Sequence, residues 1–221
     1  MNLTYVRNGS FITDINSPEF DIIRQLNDID EFAEALDNED LSTFYQLLID
    51  GGYVNIPSDT NITGSRRVQG VAIPQRGDFG DISIFRKLIN FFILCDIDPL
   101  DYIRNEIPPF MFAECDFITK ITVPNGITKV NRLAFFGCYR LEELILPNGI
   151  RSLGAYIFLN TALENKSRSI YLPDTIVPNL CSTMAFAGLS SPQCIRFSSR
   201  RFEQIFMGWL RNPQAAANYG N

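Results

Sequence analysis

The 221 residues contain no histidine. Ser-His and Cys-His dyads and imidazole metal sites are excluded at once, because each needs a group that changes charge near neutral pH. No hydrophobic run is long enough to span a bilayer, since the densest one, Ile82 to Leu94, is broken by Ser83, Arg86, Lys87 and Asn90. A membrane is therefore not an expected partner. The start, Met1 to Arg7, lacks the basic and apolar regions of a secretory signal, so a cytoplasmic protein is expected. There is no excess of positive charge either: the net charge of −6 argues against salt-driven binding to nucleic acid. The five cysteines, Cys95, Cys115, Cys138, Cys181 and Cys194, form no Cys-x-x-Cys pair, which argues against a zinc site and a disulfide framework and for buried, reduced thiols. No cofactor, metal or small-molecule ligand is expected.

What is present is apolar: a hydrophobic content of 46% can supply a real core. In the first hundred residues, loose alternation around Asn8-Gly9 predicts a short hairpin within 1–13. Ser17-Pro18-Glu19 predicts a capped helix start before Phe20, Ile22, Ile23 and Leu26. Further helices are expected over Asp30–Leu36, Leu41–Ile49 and Ile82–Cys95, with Gly51-Gly52 stopping the second of these and Asp81 capping the third. Residues 53–80 are rich in turn formers and predict a long loop, and Leu100 to Ile107 predicts a further short helical segment. Residues 1–105 thus read as a mainly helical N-terminal domain.

Two alternatives to a binding role begin in this part of the chain. Gly64-Ser65, with Asp78 and Asp81, bears a likeness to a nucleotidyltransferase site built on the 64–81 segment. Such a site places both carboxylates on one side of a strand, and a spacing of three would turn them to opposite faces. The acidic residues between Asp14 and Asp50 suggest an acidic DNA mimic, although solubility alone explains a charge of this size.

From Ile107 to Ser198 the sequence copies itself. Phe112, Phe135 and Phe158 stand 23 residues apart, Cys115 recurs at Cys138, and Pro124-Asn125-Gly126 returns as Pro147-Asn148-Gly149. A fixed period of this length marks a solenoid whose units bury their apolar faces against one another. Ile121 with Val123, Leu144 with Leu146, Ile170 with Leu172 and Ile195 with Phe197 are apolar pairs two apart, so each repeat should supply one short strand with that pair inward. Pro124, Pro147 and Pro173 would end three of the strands. Ala134-Phe135 and Ala185-Phe186 predict tight turns whose Phe fills the core.

An Ala-Phe-x-x-Cys turn, Leu141 three residues on, and a Leu-x-Leu-Pro strand end resemble the BspA-like (Treponema-type) leucine-rich repeat. The resemblance covers residues 107–198, closely from Phe112 to Phe158, and departs by an insertion at Glu164 to Ser169. It implies a non-enzymatic scaffold that binds other proteins. Short arrays fused to a helical domain occur in viral, including phage, proteins, which implies an effector that binds and inhibits or redirects a host protein. The expected fold is α+β: a short solenoid of about four repeats over 106–198, the N-terminal helical domain before it, and a capping helix with Phe202, Ile205, Phe206 and Trp209 on one side within 199–221. If Ile121 and Val123 point inward, strand parity exposes Lys120, Thr122, Glu143, Ile145, Ser169, Tyr171 and Arg196. Of these, Lys120, Thr122, Glu143, Ile145, Tyr171 and Arg196 are the expected partner-binding residues, with Ile145 and Tyr171 as the centre of the patch.

Overall fold

Short strands and tight turns need neighbours to hold them, and in this chain the neighbour is the same segment one repeat away. The computed structural model describes residues 2–38, 40–54, 66–68, 71–73, 78–79, 81–163, 169–187, 189 and 192–211. Strand β1 (Leu3–Tyr5) opens the chain, and a 3-10 turn at Pro18–Phe20 leads into helices α1 (Asp21–Asn27), α2 (Asp30–Asp37) and α3 (Leu41–Asp50). The Ser17 side chain accepts from the Glu19 amide with Pro18 at the first position, as the Ser-Pro-Glu run predicts. Strands β2 (Arg66–Val68) and β3 (Val71–Ile73) form an antiparallel pair within the stretch read as a loop. Helix α4 (Ser83–Leu94) follows, and Asp81 accepts from the Ser83 amide at its start (2.9 Å).

Two expectations in this half are overturned. The hairpin around Asn8-Gly9 does not form. Both backbone groups of Ile12 are taken by Asn90 of α4, whose Oδ1 accepts from the Ile12 amide (2.8 Å) while its Nδ2 donates to the Ile12 carbonyl (3.0 Å). Nor is there a helical segment through to Ile107. A 3-10 turn at Pro99–Tyr102, capped by Asp98, gives way at left-handed Asn105 (φ 60°) to strand β4 (Glu106–Ile107).

The solenoid then winds through β5 (Ile118–Thr122), β6 (Lys129–Val130), β7 (Glu143–Ile145), β8 (Ser152–Leu153), β9 (Ile170–Leu172) and β10 (Ile195–Phe197), and ends on helix α5 (Arg200–Arg211). β5, β7, β9 and β10 stack in parallel, with Ile121, Leu144, Ile170 and Ile195 in register. A second, three-stranded parallel sheet joins β4, β6 and β8. The predicted inward residues are buried, apart from Phe197 and Phe186, which are half-buried. Phe112, Phe135 and Phe158 fill the turns with at most 1% exposure, and the first two rings stack at 5.8 Å.

The backbone repeats as strictly as the side chains. Phe110, Leu133 and Tyr156 are left-handed (φ 58 to 60°), and so are Glu114, Gly137 and Asn160 (φ 59 to 72°). Both sets recur every 23 residues. Left-handed backbone is costly for bulky residues, and here the next turn compensates: Leu133 donates to the Ala155 carbonyl (2.9 Å), Gly137 to that of Leu159 (3.1 Å) and Tyr156 to that of Met184 (3.0 Å). At Gly154 the turns come so close that a Cβ would lie 2.3 Å from the Arg132 nitrogen, so only glycine fits.

The two ends are closed differently. β1 pairs antiparallel to β5, with Leu3 opposite Ile121, and so covers the first edge of the ladder. Behind it, Phe85 of α4 stacks on Tyr45 of α3 (5.4 Å) and on Phe110 (5.6 Å), and the Tyr45 hydroxyl donates to the Met111 carbonyl (2.8 Å). At the far end Phe202 and Phe206 of α5 pack on Phe197 (both 5.7 Å), and Phe206 also meets Phe186 (5.2 Å). Ile205, expected on the packed side, is 49% exposed, because it stands about 80° around the helix from the middle of that pair. The Trp209 side chain, residues 164–168 of the insertion and residues 212–221 lie outside the described residues.

Candidate functional site

Parity along each strand decides what the ladder shows to solvent, and register decides which residues lie side by side. Thr122, Ile145, Tyr171 and Arg196 stand opposite one another on successive strands, so one row crosses four rungs. Lys120 and Glu143 form a shorter row beside it and make an ion pair of 2.8 Å. All six predicted binding residues therefore fall on one face. They are half-buried, because parallel strands about 4.8 Å apart shield each other's side chains. The expectation of an exposed Ile145 is corrected to that extent.

Ser169 does not belong to the face. It is 5% exposed, and its hydroxyl donates inward to the carbonyls of Leu163 (2.5 Å) and Cys194 (3.3 Å). Strand β9 begins only at Ile170, so parity counted back from that residue does not extend to Ser169.

One contact escaped sequence reasoning. The Arg196 guanidinium lies over the Tyr171 ring, 5.0 Å from its centroid. The two are 25 residues apart, and only the parallel register brings them together.

Among the described residues, other chemistry has few groups to work with. All five cysteines are free thiols. Burial pushes Cys115 and Cys138 far up from the ordinary thiol range, and Cys138 donates its S–H to the Phe112 carbonyl (3.0 Å). Burial likewise raises Cys181, to about 11. These thiols stay protonated at neutral pH and are poor nucleophiles. Among the described residues no group of three Cys, Asp or Glu is placed to hold a metal, and no helix is long and apolar enough to cross a membrane. In the 64–81 segment Asp81 serves the start of α4, while Gly64, Ser65 and Gly70 lie outside the described residues.

Residues 105–207 match the family described as BspA type leucine rich repeat region, in six copies. No curated protein and no solved structure shows significant similarity to the chain.

Proposed function

We propose, on the premise that residues 105–207 form a BspA-type leucine-rich repeat region, that this chain is a non-enzymatic interaction protein whose strand face binds another protein. Repeats of this kind commonly serve protein interaction. The observation that carries the reading is the in-register row Thr122, Ile145, Tyr171 and Arg196, with Lys120 and Glu143 beside it. An aliphatic and an aromatic side chain at the centre, with charged and polar groups around them, is the composition of an interface core and rim. Residues 1–105 and 199–221 act in this reading as caps for 106–198, because exposed solenoid ends aggregate.

A sharper form makes the chain a viral effector that inhibits or redirects a host protein in the cytoplasm. What supports it is the resemblance of a short array with a helical N-terminal part to viral proteins of that organisation.

The test is a pull-down from the native cell with mass spectrometry, run with the wild type and with the double variant Ile145→Glu, Tyr171→Ala. The expected result is a partner recovered by the wild type and lost by the variant, with nearly unchanged Tm. Equal recovery by a folded variant would move the binding surface elsewhere.

A further inference from the structure

Among the described residues, the strand face carries one charge that no carboxylate balances. Lys120 and Glu143 neutralise each other at 2.8 Å, and Thr122, Ile145 and Tyr171 are uncharged. Arg196 is left. Its Nε is buried without a hydrogen-bond partner, and no carboxylate lies within ion-pair distance of its guanidinium among the described residues. The Tyr171 ring holds the guanidinium from one side. A cation–π contact of this sort occupies one side of the guanidinium and leaves its terminal Nη–H donors able to meet an acceptor. A guanidinium fork matches a carboxylate in shape as well as charge, and a cation left half-buried and unpaired gains more from such a partner than a fully hydrated one does.

We propose that the strand face recognises an extended segment of another protein that places an Asp or Glu carboxylate on Arg196 and an apolar side chain over Ile145. This rests on the reading of the strand face as the binding surface and names the chemistry of its partner. Arg196 and Ile145 are two rungs apart in the ladder, roughly 10 Å at the usual strand spacing. An extended chain covers that distance in about three residues. The segment therefore runs across the rungs, with its acidic and apolar residues about three positions apart. The face contributes one net positive charge to a chain of net charge −6, so the site selects a carboxylate locally against an overall repulsion of acidic proteins. An apolar contact beside the ion pair supplies the desolvation that strengthens it.

A random-peptide display library panned on the full chain tests this. Wild-type protein is expected to enrich peptides with Asp or Glu about three residues from an aliphatic or aromatic residue. Arg196→Glu should reduce recovery of those peptides at least tenfold and favour Lys or Arg at the same place. Arg196→Gln, which removes the charge and keeps the reach, should act in the same direction more weakly, and it serves should Arg196→Glu fail to fold. Enriched peptides that lose binding to Ile145→Glu but show no acidic preference, or ignore both Arg196 changes, would overturn this inference and leave the strand-face reading standing. No enrichment, or enrichment insensitive to Ile145→Glu, would overturn both.

Discussion

At its first rung the ladder is closed by hydrogen bonds and side chains together, whereas among the described residues its last rung is closed by side chains alone. β1 adds a paired strand to β5, reinforced by the Thr122 amide donating to the Asn2 carbonyl (2.9 Å) and the Val6 amide to that of Phe117 (2.8 Å). The aromatic cluster of Tyr45, Phe79, Phe85, Phe110 and Phe136 then ties α3 and α4 to the first two turns. α5 lays two phenylalanines on β10 and the turn before it, and no backbone hydrogen bond between α5 and β10 accompanies them. The comparison teaches that the cap at the start is continuous with the core, while the cap at the end is a plug.

The largest effect should separate the two ends directly. Phe85→Ala and Phe206→Ala each delete a fully buried ring, a loss of about 3–5 kcal/mol. The Phe85 cavity is walled by Tyr45 and Phe110 and cannot collapse, so it should lie at the upper end of that range. α5 is a single helix on the surface and can settle into the space, so Phe206→Ala should lie at the lower end. Urea unfolding of both variants measures the difference, and equal losses would erase the distinction between plug and core.

Alkaline pH should open the same difference by another route. Cys181, in the last turns, ionises near pH 11 when folded and near 9 when unfolded, whereas Cys115 and Cys138, in the first turns, are shifted up by full burial. Between those two values the unfolded chain binds fewer protons than the folded one, so stability falls as pH rises. The contribution of Cys181 is fully present below about pH 9 and gone above about pH 11, a change of about 3 kcal/mol. Cys181→Ala should flatten that part of the slope. Amide hydrogen exchange, followed as pH rises and corrected for its intrinsic rate, should show protection falling more steeply around Phe112 to Phe117, where opening frees two buried thiols, than around Ser182 to Ala187, where it frees Cys181. Equal slopes would mean that the two ends do not open separately.

Much of the repeat ladder was legible in the sequence, because a solenoid writes its core into a period. The apolar pairs, the strand-ending prolines and the phenylalanines of the turns each occupy fixed places, and parity alone put Thr122, Ile145, Tyr171 and Arg196 on one face. β1 was not legible. A three-residue strand has no period, and its partner lies more than a hundred residues away. The left-handed positions were half visible: Gly137 and Asn160 suit such backbone, but Phe110, Leu133 and Tyr156 hide it behind bulky side chains that the next turn holds in place. Ser169 misled for the opposite reason, since it precedes β9 and the strand parity that made its neighbours readable does not reach it. The Tyr171 and Arg196 contact needed register, which no local pattern contains.

The smallest effect concerns the face itself. Lys120 and Glu143 pair across the first two rungs, yet their side chains are 38% and 42% exposed, and pairs so open to water and salt contribute about 0–1 kcal/mol. Lys120→Ala should therefore leave Tm almost unchanged. Its effect on binding should differ from that of Arg196→Gln. Removing Lys120 frees a carboxylate on Glu143 at the opposite end of the face from Arg196, which repels an acidic segment weakly and at a distance, whereas Arg196→Gln removes the charge that segment needs. The affinity loss for Lys120→Ala should be a few-fold, and it should fade as salt rises from low to physiological strength because the repulsion is screened. Titration of both variants with one enriched peptide at two salt concentrations measures this. A salt-independent loss for Lys120→Ala, as large as that for Arg196→Gln, would place the segment's acidic contact on Lys120 and reverse its direction across the rungs.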